Sequence, residues 1–320
     1  MSEVLLRLLT CPACRRGDLA GPTTEPRDSK LTCTHCGEVY EVHGGVPILL
    51  PPGFDPGRAH DELDHVHAHK HRQAAHFDHS VAEEFETVRP HGTPRAHRWL
   101  LGQKLARAVA GLPDLRQAIV VAACCGSGMD AEYLARRGAR VLAVDLSEGA
   151  ALRARARARR FGLDYLVVVG DVEHLPVRTR AADVAFVHDG LHHLADPLRG
   201  VRELARVADR AVSITEPADA ALTQIAVRLG LAANHEDAGN EVRRLRPAQV
   251  RRELEAAGFA ARSDRYLMYH GHEPGRAARL LSHPSLFPAF TASVGAVDVV
   301  AGRWGNKLCV TGIRKPEGER

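Results

Sequence analysis

Four of the chain's seven cysteines fall into two pairs, Cys11-Pro-Ala-Cys14 and Cys33-Thr-His-Cys36. A two-residue gap lets both sulfurs of a pair turn toward one ion. Two such pairs complete a tetrahedral site of the kind that holds Zn2+ as a closed structural centre. Cys11, Cys14, Cys33 and Cys36 are therefore expected metal ligands, with His35 exposed rather than coordinating. A segment of about 50 residues buries little core alone, so the metal would supply much of its folding energy. A second constellation is Val121-Ala-Ala-Cys124-Cys125-Gly126-Ser127-Gly128. Small residues in such a turn let backbone approach a ligand closely, and a helix N-terminus behind it offers free N–H groups. Asp145 follows Gly128 by 17 residues and is able to accept both hydroxyls of a ribose. Third, His188, Asp189, His192 and His193 gather in a six-residue stretch, and imidazoles so placed are candidates for proton transfer.

The elements that must position these groups alternate. Ala118–Ala123 is a short apolar run ending at the Gly-rich turn, and 130–137 is helical in pattern. Arg140–Asp145 is a second strand, 165–170 a third before Asp171, 183–187 a fourth and 211–215 a fifth. Helices are expected through Arg160, over 199–207 and over 247–257. Strands joined by helices in this way predict an α/β fold with a parallel sheet covered on both faces. Two strand-like runs, 261–269 and 307–313, close the chain. Three units are expected: 1–52 carrying the cysteine pairs, 53–95 rich in histidine and charge, and 96–320 as the α/β domain, with an insertion over 217–244.

Four spaced words tie residues 96–320 to a known family: Cys125-Gly-Ser-Gly128, Val144-Asp-Leu-Ser147, Gly170-Asp-Val-Glu-His-Leu-Pro176 and Leu191-His-His-Leu-Ala-Asp-Pro197. In this order they resemble the class I S-adenosylmethionine (SAM) methyltransferases, a Rossmann-like fold. The resemblance implies SAM as cofactor, bound by Cys124, Gly126, Ser127 and Gly128. Asp145 and Leu146 would lie at the ribose, and Asp171 and Val172 at the adenine. Paired histidines at this place resemble those of small-molecule O-methyltransferases. That implies His192 or His193 as base, helped by Glu216 at the end of the fifth strand; the same pair also occurs where it only caps a helix. The chain departs from the family at Ala122, where an acid is usual, and at Cys124, where glycine is usual. Asp130 or His188 is a candidate to replace the missing acid at the amino group of the methionine moiety. The first 50 residues, with Leu5-Leu-Arg-Leu-Leu9 and Gly44-Gly-Val-Pro-Ile-Leu-Leu50, resemble the zinc ribbon of methyltransferase activators.

Other segments carry weaker expectations. The stretch His60–His79 reads as a solvated linker helix, although histidines four apart could share a metal. The resemblance implies a lid over the cofactor before the first strand, with Phe77 and Arg89-Pro-His-Gly92 as its candidates and Glu84-Phe-Glu86 leading into the latter. Arg153-Ala-Arg-Ala-Arg-Ala-Arg-Arg160 spreads arginine all round a helix, read as solvated, with RNA phosphate as the alternative partner. The 217–244 insertion, with His235–Asn240, is expected to roof the substrate, and 271–306 to contribute to substrate choice or a homodimer. With 45% hydrophobic residues, 5% aromatics and a net charge of +4, the 320-residue chain requires neither nucleic acid nor membrane. No apolar run approaches the roughly 20 residues a bilayer span needs, and the first ten residues lack the marks of a signal peptide. The expected location is the cytoplasm. The leading expectation is O-methylation of a small molecule. RNA methylation through the ribbon, docking of a protein partner, and a methyltransferase fold reused for other chemistry are the alternatives.

Overall fold

The computed structural model describes residues 3–21, 29–54, 65–79, 92–228, 243–268 and 275–316. The segments 84–86, 89–91 and 235–240 singled out above lie outside these. The chain opens with the short helix α1 (Glu3–Leu6) and the strands β1 (Leu19–Ala20), β2 (Ser29–Cys33), β3 (Val39–His43) and β4 (Val46–Leu49). β2 and β3 bury alternate residues, Leu31 and Cys33 on one and Tyr40 and Val42 on the other, as the period of a strand demands. Gly44 and Gly45, with φ of 54° and 77°, make the two-residue turn between β3 and β4. Both positions need the left-handed conformation that favours glycine.

Two helices follow, α2 (His65–Asp78) and α3 (Arg95–Ala110). Next come β5 (Ile119–Ala123), α4 (Met129–Ala135), β6 (Arg140–Asp145), α5 (Glu148–Phe161), β7 (Tyr165–Gly170), β8 (Ala182–His188), α6 (Pro197–Val207) and β9 (Ala208–Pro217). The chain continues with α7 (Ala221–Arg228), α8 (Pro247–Ala256), β10 (Phe259–Tyr266), α9 (Arg276–Leu281), α10 (Phe287–Ala301) and β11 (Lys307–Arg314). The strands lie in the order β1-β2-β3-β4-β7-β6-β5-β8-β9-β11-β10. Pairing is parallel from β4 through β7, β6, β5 and β8 to β9, and antiparallel at β9–β11 and β11–β10.

The central strands are buried on both faces and hence almost wholly apolar. One core layer joins Val120, Ala122 and Val141 to Ala131, Leu134 and Ala154. The other joins Val121, Leu142 and Val144 to Leu204 and Leu254, and runs on into Leu5, Leu9, Leu31 and Tyr40 of the N-terminal strands. The N-terminal strands are thus built into the sheet through β4, where Ile48 and Leu49 pair with Val169 and Gly170, a connection the sequence does not reveal. Two helix starts are capped by side chains: Ser147 Oγ accepts the Ala150 N–H at α5, and Asp196 accepts those of Leu198 and Arg199 at α6. Each such cap contributes about 1 kcal/mol. The chain order reverses at β5, with β6 and β7 on one side and β8 and β9 on the other. That switch point opens a crevice beyond the carboxyl ends of the strands.

Two expectations are corrected. α2 is not a solvated linker, because it buries Lys70 and Gln73 against the crevice and His71 against Phe54. Its inward face is polar, which hides the burial from any hydrophobic pattern. α5 is not a solvated arginine helix either. Arg157 is buried, and Arg153 turns inward to donate to Ser127 Oγ and to the carbonyls of Phe77 and Asp78. The segment after β10 holds α9 and α10, and Asp298 of α10 accepts from Arg107 and from the Leu267 N–H.

Candidate active site

A cavity of about 420 Å3 fills the crevice, with α2 over one side of it. Its floor is the turn after β5. Gly126 and Gly128 have φ of 50° and 86°. A Cβ on Gly128 would come within 2.9 Å of Ala154 Cβ and the Tyr165 hydroxyl, whereas the space around Gly126 is open. Glycine is required at Gly128 for fit as well as conformation. Cys124 takes φ of 50° without being glycine. Room for it exists because residue 190 is glycine; a Cβ there would lie 2.2 Å from Cys124 Cβ. Burial pushes the Cys124 and Cys125 thiols well up, so neither supplies a thiolate.

Asp145 ends β6 and lines the cavity, with its Oδ2 accepting the Gly126 N–H at 2.7 Å and Oδ1 the Ser147 N–H at 3.0 Å. Burial raises its pKa against the opposing pull of those two bonds. At the end of β7, Asp171 and Glu173 share Lys70 of α2, at 2.6 and 2.5 Å. Burial would raise Asp171, but the His174 bond and Lys70 outweigh it and hold the carboxyl below its ordinary range. Leu146 and Val172 line the wall beside these acids.

α2 is fastened across the opening. Asp78 Oδ1 accepts from Ser147 Oγ at 2.7 Å and from the Gly149 N–H at 2.8 Å. His69 Nε2 lies 2.6 Å from the His193 carbonyl, and Phe77 packs edge-on to the His193 ring at 5.3 Å. Phe77, one of the lid candidates, thus lines the cavity, as does neighbouring His76.

Past β8, the 188–193 segment forms the far wall. His188 Nδ1 lies 3.2 Å from Asp130 Oδ1, so the two candidates to replace the acid absent at Ala122 are partners of one another. His192 Nδ1 lies 2.7 Å from Glu216 Oε2. Glu216 is fully buried, and it also accepts the N–H groups of Gly190, Leu191 and His192. A buried carboxylate costs several kcal/mol unless its lone pairs are taken, and here four donors take them. His193 is less buried than His192 and stacks beside it at 4.1 Å.

Three cavity residues escaped the sequence reading: Lys70, Lys104 and Lys307. Lys104 of α3 and Lys307 of β11 each donate to one oxygen of Asp189, at 2.5 and 2.6 Å. Burial would raise Asp189, but the two ammonium groups hold it well below the carboxylate range. Lys104 is itself pulled down by burial and by Lys307, with Asp189 opposing. A signal was available. Only five of the chain's 43 basic residues are lysine, and three of the five line this cavity.

At the other end of the molecule, the four cysteine sulfurs lie within 4.8 Å of one another. The Cys11–Cys36 and Cys14–Cys33 separations are both 3.7 Å. A tetrahedron of ~2.3 Å Zn–S bonds has edges of about 3.8 Å, so the donor set fits that metal. A Cβ on Gly17 would lie 2.2 Å from Cys33 Sγ, so residue 17 leaves the space that this sulfur fills. His35 is exposed. Among the described residues the cysteines are the one cluster able to hold a metal, and the histidines of α2 form none.

Residues 121–211 match the family model described as a methyltransferase domain. Demethylmenaquinone methyltransferase of Thermobifida fusca (strain YX) is 33% identical over 138 residues, which is 42% of this chain and 55% of that protein. Malonyl-[acyl-carrier protein] O-methyltransferase of Yersinia pestis is 32% identical over 89 residues, 28% of this chain and 32% of that protein. The chain therefore spans about half the length of the first relative and about a third of the second. Among solved structures, magnesium protoporphyrin IX methyltransferase from Synechocystis PCC 6803 with bound SAM superposes with a TM-score of 0.51 at 16% identity. That match covers 79% of this chain and 98% of the other, and likeness at this identity shows the fold. Residues 121–211 thus carry the signature of a methyltransferase domain, and the chain has a mixed α/β, Rossmann-like fold. Among the described residues no helix is long and apolar enough to cross a membrane.

Proposed function

From the premise of a class I methyltransferase domain, we propose that this chain binds SAM in the cavity and methylates an oxygen of a small molecule, with His192 as base. One observation carries the reading. The His192–Glu216 pair, 2.7 Å apart, sits in the wall of the same cavity that Asp145 and the glycine turn line. SAM, when bound, supplies an electrophilic methyl group. Asp145 is the acceptor for the ribose hydroxyls, Asp171 for the adenine amino group, and Gly126 keeps open the space beside them. Glu216 holds the His192 Nδ1–H, which leaves Nε2 as the basic nitrogen. The acceptor hydroxyl gives its proton to Nε2 as its oxygen takes the methyl group, and the products are the methylated acceptor and the demethylated cofactor. α2, fastened by Asp78 and Lys70, keeps water from this exchange. The name of one relative, an O-methyltransferase, supports oxygen as the atom methylated.

Zinc in the four-cysteine site completes the proposal as a structural ion. The ribbon and methyltransferase parts correspond to residues 1–52 and 96–320, with α2 and its flanks between them.

Calorimetric titration with SAM and with its demethylated product tests the cofactor reading. Micromolar binding that Asp145→Ala abolishes is the expected result, and no binding by the intact protein would sink it. The base is tested separately, by transfer of labelled methyl from SAM to a panel of hydroxylated acceptors. His192→Ala is expected to lower kcat by about 10²- to 10⁴-fold while leaving SAM affinity within twofold. Unchanged turnover in that variant would remove His192 from the chemistry.

A further inference from the structure

α2 buries Lys70, one of the chain's five lysines, in the wall of the cavity. A buried ammonium group must find partners for its hydrogens. Lys70 Nζ lies 2.6 Å from Asp171 Oδ2 and 2.5 Å from Glu173 Oε2. An ammonium group has three hydrogens to donate, and these two carboxylates take two of them. Lys70 has no third partner among the described residues. Asp171 shows the converse. An ionised carboxylate accepts at about four lone-pair sites. The Glu173 N–H takes one on Oδ1, at 2.8 Å, while Lys70 and His174 Nδ1 take two on Oδ2, at 2.6 and 3.4 Å. Among the described residues, one site on Oδ1 remains.

The pair therefore presents an unused donor beside an unused acceptor, and both residues line the cavity. Such a pattern selects a ligand edge that also carries a donor beside an acceptor. Adenine has one on each side of its amino group. The amino hydrogens are donors, and the ring nitrogens N1 and N7 flank them as acceptors. The two halves of the pair reach the cavity from different elements. Asp171 directly follows β7, and the neighbouring Glu173 Oε1 accepts the Asp196 N–H at the start of α6, at 2.5 Å, which anchors the carboxylates to the sheet. Lys70 arrives on α2, which Asp78 fastens at its C-terminal end. The acceptor thus belongs to the sheet and the donor to the helix that lies over the cavity.

We infer that Lys70 reads the adenine of the cofactor: its third N–H donates to a ring nitrogen beside the amino group, while Asp171 accepts an amino hydrogen. This deepens the function proposed above and rests on its placing of the adenine at Asp171. On this reading α2 recognises the cofactor as well as covering it. A base without that nitrogen leaves a buried ammonium hydrogen unpaired, which is the source of the discrimination.

The test is calorimetric titration of the full-length, zinc-loaded protein with the demethylated cofactor and with its 1-deaza and 7-deaza analogues. In each analogue a C–H replaces one ring nitrogen and the amino group stays. At least one analogue is expected to bind about tenfold or more weakly than the demethylated cofactor, and which one identifies the edge that is read. In Lys70→Met that penalty is expected to fall below about threefold, because the donor is gone. Glu173→Gln loosens the same ammonium group from the sheet but keeps the donor, so the penalty is expected to persist. Equal binding of all three ligands by the unaltered protein overturns the inference without any variant. A penalty that survives in Lys70→Met also overturns it, by assigning the nitrogen to another donor. A penalty lost equally in Glu173→Gln would mean that Lys70 only fastens α2, and tighter cofactor binding by Lys70→Met would mean that it blocks Asp171; either result overturns the inference as well. Failure of the intact protein to bind the demethylated cofactor at all defeats the proposed function, and this inference with it.

Discussion

In the proposed function Asp145 is the residue on which cofactor recognition turns, and its surroundings give it a pH signature. Burial raises its pKa, two backbone N–H groups and the charge of Arg153 oppose that, and Asp78 adds to the rise. The ionised form is the one that accepts hydroxyl hydrogens, so protonation removes an acceptor. The sign follows: SAM affinity holds at neutral pH and falls as pH drops through the raised folded pKa, above the ordinary carboxylate range. Titrations from pH 7.5 downward should show this loss. Asp145→Asn should bind about 10- to 100-fold more weakly at pH 7.5, as expected for loss of charge-assisted hydrogen bonds, and should lack the acidic limb. An acidic limb that survives in the variant would assign it to another group. Cys124 makes a separate prediction. Its left-handed backbone costs about 1 kcal/mol or more for a residue with a Cβ. Cys124→Gly relieves that strain but adds unfolded-state freedom of similar size. The melting temperature should therefore move by no more than about 3 °C, and SAM affinity should be unchanged. A large loss in thermal scans would mean that the thiol packs as an indispensable part of the floor.

Among the elements, α2 lies along the cavity, and in the proposed function it governs access. Asp78 fastens its C-terminal end to the start of α5, with Arg153 across the carbonyls of residues 77 and 78. Asp78→Ala removes two of these bonds at once and leaves Asp171 and His192 in place, while also lifting a like-charge repulsion from Asp145. The expected outcome is cofactor release about 10-fold faster in stopped-flow displacement, from roughly 1.5 kcal/mol of lost fastening, with the melting temperature little changed. Release at the parent rate would show that α2 does not gate the site. This helix also marks the limit of what the sequence made legible. β5, β6 and β7 were readable because strands buried on both faces are continuous apolar runs, and their closing acids, Asp145 and Asp171, stand where the runs stop. α2 was unreadable as a buried element because it turns Lys70, His71 and Gln73 inward, which inverts the usual pattern. Lys104 and Lys307 were missed for a different reason. Each meets Asp189 across 85 and 118 residues of chain, and only the closed sheet brings them together. The His192–Glu216 proximity spans 24 residues. The resemblance of the histidine pair to those of O-methyltransferases implied it, and the parallel pairing of β8 with β9 provides it.

At the level of the whole molecule, the N-terminal four-cysteine unit and the α/β part of the chain share more than a linker. β4 extends the central sheet beside β7. Leu5, Leu9 and Leu31 enter the same core layer as Leu142 and Leu204, and the Thr10 N–H bonds the Pro176 carbonyl at 3.0 Å. Arg15, next to Cys14, pairs with Glu203 of α6, and that carboxyl is held low by Arg206 and Arg15 against its burial. The four sulfurs close the far end of this shared structure. A metal that organises Cys11 and Cys33, both buried in the common core, therefore acts on the sheet edge as well as on the ribbon. Zinc removal should lower the melting temperature of one cooperative transition, by roughly 5 °C or more, given that structural zinc contributes directly to folding free energy. SAM affinity should fall with it, since β7 carries both the β4 contact and Asp171. Gly17→Ala offers the same test without a chelator, because its Cβ would displace Cys33 Sγ. It should reduce bound zinc well below one equivalent by elemental analysis and reproduce the thermal loss. Two separate transitions, with the later one unmoved by metal removal, would instead mean that the ribbon unfolds alone and that the β4–β7 pairing carries little of the domain's stability.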